Sequence, residues 1–123
     1  MGLGGSMDVA ELLDTLRREV SRRAYITLLD VMDHSATVLK ARLYVSSDLF
    51  VQVYRNDRFN TTSLVLIYNG KRIYGRDQLD GVWHRHPVED PHLHDTGSAG
   101  RQPVGLAEFL DEIEAVLAAM DLP

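Results

Sequence analysis

The chain has 123 residues, 45% of them hydrophobic and 25% charged, a balance that a single folded domain carries and a disordered chain does not. With 13 basic against 18 acidic side chains the formal charge is −5, which argues against nucleic-acid binding by bulk positive charge but not against a local basic face. Cysteine is absent, so disulfides, thiol catalysis and cysteine-ligated metals are excluded.

No apolar run approaches the roughly 20 residues that span a bilayer, so the expectation is a soluble, cytoplasmic domain without a membrane partner. Residues 1–6 read as a flexible appended stretch, with Met7 as the natural start and a single domain over 7–123. Asp8, with Glu11 three positions on, makes a capping box. Val9, Leu12, Leu13, Leu16 and Val20 then follow at helical spacing, which predicts a helix over 8–22. Residues 25–32 are rich in apolar and β-branched side chains and read as a strand.

Alternation is strict in the next two segments. Leu39, Ala41, Leu43 and Val45 face one way and Lys40, Arg42 and Tyr44 the other; Leu49, Val51 and Val53 alternate with Phe50, Gln52 and Tyr54. A three-residue turn at 46–48 would pair Val45 with Leu49 and Leu43 with Val51. A strand over 62–68 meets Asn69-Gly70, a strong hairpin signal, and returns over 71–74 with Ile73 opposite Leu66 and Tyr74 opposite Val65. The stretch 75–103 holds three of the four prolines and reads as a long loop. A final amphipathic helix has Leu106, Phe109, Leu110, Ile113, Val116, Leu117 and Met120 inside, and Glu108, Asp111, Glu112 and Glu114 outside. The expected fold is α+β: an N-terminal helix, an antiparallel meander of about five strands, a long His-rich loop and a C-terminal helix.

Two features bear on chemistry. Residues 83–95 read WHRHPVEDPHLHD, with two His-x-His pairs, His84/His86 and His92/His94. Imidazole suits both proton transfer near neutral pH and metal ligation, so the four histidines are candidates for either; a polar surface loop remains the plainest reading. In the catalytic reading no cofactor is needed. His84 and His86 transfer protons, with His92 or His94 as the alternative partner, and Arg85 or Arg76 stabilises developing charge. In the metal reading a divalent transition metal sits among His84, His86, His92 and His94. The second feature is the polar side of the first hairpin, where Lys40, Arg42, Tyr44 and Tyr54 combine cations and rings as single-stranded RNA binding requires, although an ordinary solvated sheet face has the same look.

The order of Tyr74-Gly-Arg76-Asp77, His84-Arg-His86-Pro87, His92-Leu-His94 and the acidic helix from Leu106 to Ile113 resembles a group of small prokaryotic domains that includes the TumE family of toxin–antitoxin toxins. The resemblance implies an α+β fold, a bacterial or archaeal cytosolic setting, a toxin-like role on RNA, and an antitoxin-like partner encoded nearby. The sequence also leaves open a non-catalytic interaction module and a His-ligated metal-binding protein.

Overall fold

A computed structural model of the chain describes residues 8–88, 97 and 100–122. The first helix, α1, spans Val9–Arg22, and it starts where the capping residues place it. The Asp8 carboxylate accepts the Glu11 backbone N–H at 2.8 Å, satisfying one of the orphan donors of the first turn. Six strands follow: β1 (Leu28–His34), β2 (Val38–Ser46), β3 (Leu49–Asn56), β4 (Thr61–Tyr68), β5 (Lys71–Leu79) and β6 (Val82–His86). The second helix, α2, spans Leu106–Ala119. Each strand pairs antiparallel with the next, so the sheet is a meander in chain order. The α+β architecture is the expected one, but the strand number is six rather than about five.

The additional strand arises at Asp80-Gly81. These residues have φ of 50° and 82°, matching Asn69 and Gly70 at 52° and 77°, so both pairs occupy the left-handed region that a two-residue hairpin needs. β5 therefore runs past Gly75 to Leu79 and β6 returns beside it, within a stretch expected to be loop. The register of the β4–β5 hairpin also differs from expectation. Leu66 pairs with Tyr74 and Val65 with Gly75, because Ile73 is bulged out of the ladder. Val45 is the extra residue at the β2–β3 turn, so Ser46 faces Leu49, while Leu43 does pair with Val51. A one-residue shift moves every later side chain to the opposite face. In β5 it turns Tyr74 and Arg76 towards the helices and Asp77 away from them.

The helices cover one face of the sheet. Val9, Leu12, Leu13 and Leu16 of α1 join Leu106, Phe109, Leu110, Ile113 and Leu117 of α2 over Leu39, Ala41, Leu43, Leu49, Val51, Val53, Leu64 and Leu66. Phe109 is fully buried and stacks on Tyr74 at 5.9 Å between centroids, so Phe109→Ala costs about 3–5 kcal/mol. Polar groups on this side are closely partnered. Buried Arg55 donates to Asp57, Thr62, Gln78 and Asn60, and the Val9 N–H donates to the other oxygen of Asp57. Arg23 ties the helices together by pairing with Glu19 of α1 and with Asp111 and Glu114 of α2. Among the described residues no helix is long and apolar enough to cross a membrane.

Candidate functional site on the open face of the sheet

Strand alternation and the observed register determine which side chains occupy the face opposite α1 and α2, called the open face below. Cross-strand partners share a face, so Lys40, Arg42 and Tyr44 of β2 lie beside Tyr54, Gln52 and Phe50 of β3. Val65 follows on β4, Gly75 and Asp77 on β5, and His86 and His84 on β6. The hairpin cations and rings and the first His-x-His pair, separate in sequence, thus share one surface. From β2 to β6 is four strand spacings, about 19 Å.

At the β2–β3 end, Arg42 lies over the Phe50 ring with its guanidinium carbon 4.5 Å from the centroid. It donates to Gln52 Oε1 at 3.2 Å and to the Tyr44 hydroxyl at 3.3 Å. The Tyr44 and Phe50 rings are 5.1 Å apart. These contacts hold a planar cation and two rings in a half-exposed cluster. Lys40 and Tyr54 are direct cross-strand partners. β1 places Asp30 opposite Arg42 and Asp33 opposite Lys40, so the edge of the patch carries acid as well as base.

At the β5–β6 end, Asp77 faces His84 in register and lies diagonally from His86. His86 Nε2 is 2.8 Å from Asp77 Oδ2, with the two residues 9% and 8% exposed. A carboxylate accepts, so the bond calls for Nε2–H on His86 and leaves the lone pair of the neutral ring on Nδ1. Oδ1 of Asp77 is buried and makes no hydrogen bond. His84 is half-buried, two residues along the same strand and on the same face, which sets the two histidine backbones about 7 Å apart. A small cleft beside His86 is lined by Val65, Arg72, Tyr74 and Gly75.

The two arginines expected near these histidines point to the other face. Arg76 and Arg85 are cross-strand partners on the helix side. Arg76 is 7% exposed and makes a two-point pair with Glu112 of α2, Nε to Oε1 at 3.0 Å and Nη2 to Oε2 at 2.7 Å. The Tyr74 hydroxyl donates to the same Oε1 at 2.6 Å. Burial on its own would lower the pKa of Arg76, but the Glu112 bonds outweigh it and raise that pKa. Burial and then the Glu112 hydrogen bond push the Tyr74 phenol up to about 12. Glu112, expected to face outward, is therefore turned towards the sheet, and Arg76 is a structural residue in this arrangement.

His92 and His94 lie outside the described residues, as do 89–96 and 98–99 of the expected His-rich loop. Among the described residues no group of three or more His, Asp or Glu side chains converges on a point where a metal ion would sit. One residue of the site, Asp77, escaped the sequence reading as a site residue. The signal that finds it is Asp80-Gly81: reading it as a hairpin pairs 77 with 84. The chain matches no family model, no curated protein and no solved structure.

Proposed function

We propose that the open sheet face binds single-stranded RNA and cleaves it without a metal, a toxin-like activity in which His84 and His86 move the protons. The observation that carries this reading is the β5–β6 register. It sets the Asp77–His86 pair and His84 on the same face as Lys40, Arg42, Tyr44 and Tyr54. Cations and rings on a sheet face that neither described helix covers suit a flexible strand whose phosphates want charge and whose unstacked bases want flat surfaces.

In the reaction, the ribose 2′ oxygen attacks the adjacent phosphorus, forming the P–O2′ bond, and the P–O5′ bond breaks. The products are a 2′,3′-cyclic phosphate and a 5′ hydroxyl. His86, with its tautomer held by Asp77, takes the 2′-hydroxyl proton on Nδ1, and His84 in its protonated form gives one to the departing O5′. Neither Arg76 nor Arg85 serves the phosphate in this scheme, because both sit on the helix side.

Inducible expression in a bacterial host tests the reading. The native chain is expected to arrest growth, and the His84→Ala/His86→Ala double variant at matched soluble level is expected to be harmless. Equal growth of the two cultures contradicts it.

A specific observation favours a second reading, an interaction module. Among the described residues β1 pairs on one side only, and Leu28, Val31 and Met32 are 56%, 38% and 42% exposed. An added strand from a protein partner, such as an antitoxin-like protein, would cover that edge. Hydrogen exchange of the β1 amides with and without the neighbouring gene product discriminates the two readings.

A further inference from the structure

We infer that the β1 edge of the sheet docks an extended segment of a protein partner in which a basic, an apolar and a basic residue follow one another, the basic pair facing Asp30 and Asp33. The inference stands apart from the RNA reading and gives the second reading the chemistry of its partner. Alternate residues of an edge strand direct their N–H and C=O groups away from the sheet, where an added strand takes them up. Every residue of Leu28–His34 except Leu29 is exposed, apolar Leu28, Val31 and Met32 included. Charges and bulges are how an edge repels other strands; three exposed large apolar side chains in a strand of seven residues work against that.

The ladder with β2 sorts these side chains. Leu28, Asp30 and Asp33 share the open face with Tyr44, Arg42 and Lys40, while Leu29, Val31 and His34 share the helix side with Leu43, Ala41 and Leu39. Met32 is the extra residue of a bulge, so Asp30, Val31 and Asp33 follow one another in the ladder. The cations of β2 leave both acids unengaged. Arg42 donates to Gln52 and to the Tyr44 hydroxyl, and among the described residues the carboxylates of Asp30 and Asp33 form no hydrogen bond or ion pair. A second copy of this chain is a poor occupant. Cross-strand partners share a face, and Met32 stands outside the ladder. Centring an antiparallel β1–β1 pair on Asp30, Val31 or Asp33 therefore sets Asp30 against Asp30, Asp30 against Asp33 or Asp33 against Asp33; centring it on Leu29 or His34 pairs only an end of the strand. Like charges directly opposite one another destabilise a ladder. A strand with Lys or Arg opposite both acids, and an apolar residue between them against Val31, meets charge with charge and covers the apolar surface.

The probe is a short synthetic peptide of alternating Lys and Val, compared with a Glu/Val peptide and with a Lys/Val peptide interrupted by a central Pro, which keeps the charge and breaks the ladder. In an NMR titration of the full chain, the first peptide alone is expected to give saturable shifts and slowed hydrogen exchange at the β1 amides. Asp30→Asn/Asp33→Asn, with an unchanged far-UV circular dichroism spectrum, should weaken binding about 3- to 10-fold, and Glu108→Gln on α2 should leave it unchanged. No saturable response, an equal response to the Pro peptide, or shifts gathered on the acids of α2 overturns the inference. Sedimentation of the chain alone is expected to show a monomer; a dimer with protected β1 amides puts a second copy on the edge and overturns it as well. RNA cleavage enters none of these readouts, so the RNA reading can fail while this inference holds, and the reverse.

Discussion

Asp77 has two consequences that a single substitution separates. Its carboxylate fixes the orientation of His86, and its other oxygen stays buried without a partner. Asp77→Asn keeps the size of the side chain while removing the carboxylate that orients the His86 ring. RNA cleavage should fall by about 10²-fold with an unchanged far-UV circular dichroism spectrum. A variant as active as the native chain would assign the pair to structure alone. Tyr74 makes a different residue-scale prediction. Its phenol is held at about 12 in the fold against about 10 in the unfolded chain, so the folded state keeps the proton more tightly. The sign follows from linkage: the stabilisation is complete below pH 10 and disappears as the pH rises through 12. Denaturant midpoints measured between pH 9 and 12 should therefore fall, and Tyr74→Phe should flatten part of that fall. Tyr25, also raised by burial and by its bond to Glu114, supplies a further share.

At the scale of elements, the hairpin β5–β6 decides the site and its turn decides the hairpin. Both turn residues have positive φ, and a Cβ on Gly81 would meet the Asn60 side chain at 3.1 Å. Gly81→Ala should cost about 1–2 kcal/mol, read as a lower urea midpoint, and should weaken amide protection in β6 before β3. The two-point pair between Arg76 and Glu112 fastens α2 to β5. Glu112→Ala leaves a buried guanidinium without its counter-ion and should cost about 3 kcal/mol in the same assay.

The helices, the β2–β3 alternation and its apolar rows were legible because burial on one face writes a period into the sequence. Leu39, Ala41, Leu43 and Leu49, Val51, Val53 carry that period openly. β6 was not legible, because Trp83, His84, Arg85 and His86 alternate between two polar environments and show no apolar period. Only Asp80-Gly81 marked it. The side to which Arg76 points was hidden by the Ile73 bulge, a local accident of the ladder that reverses the faces of all that follows.

For the molecule as a whole, one face of the sheet lies under the two helices and holds the apolar core and the Arg55 cluster. On the other face the β2–β3 cations and rings are half-exposed, whereas Val65, Gly75, Asp77 and His86 are buried. Five acids and no base fall in residues 102–123, on and around α2, away from the face that the proposal assigns to RNA. RNA affinity should accordingly weaken by about 1–3 kcal/mol in Tyr44→Ala or Tyr54→Ala and fall with rising salt, while Glu108→Ala on α2 should leave it unchanged. Fluorescence anisotropy with a labelled single-stranded oligonucleotide checks all three. Loss of affinity in the α2 variant would put the binding surface on the wrong side of the sheet.

The most direct measurement is cleavage of a single-stranded RNA oligonucleotide by the purified native chain in excess EDTA, beside His86→Ala of verified fold. The native chain should yield fragments ending in 2′,3′-cyclic phosphate, leave an all-deoxy oligonucleotide intact, and lose the activity with His86. Intact RNA with the native chain, or equal cleavage by His86→Ala, contradicts a catalytic open face.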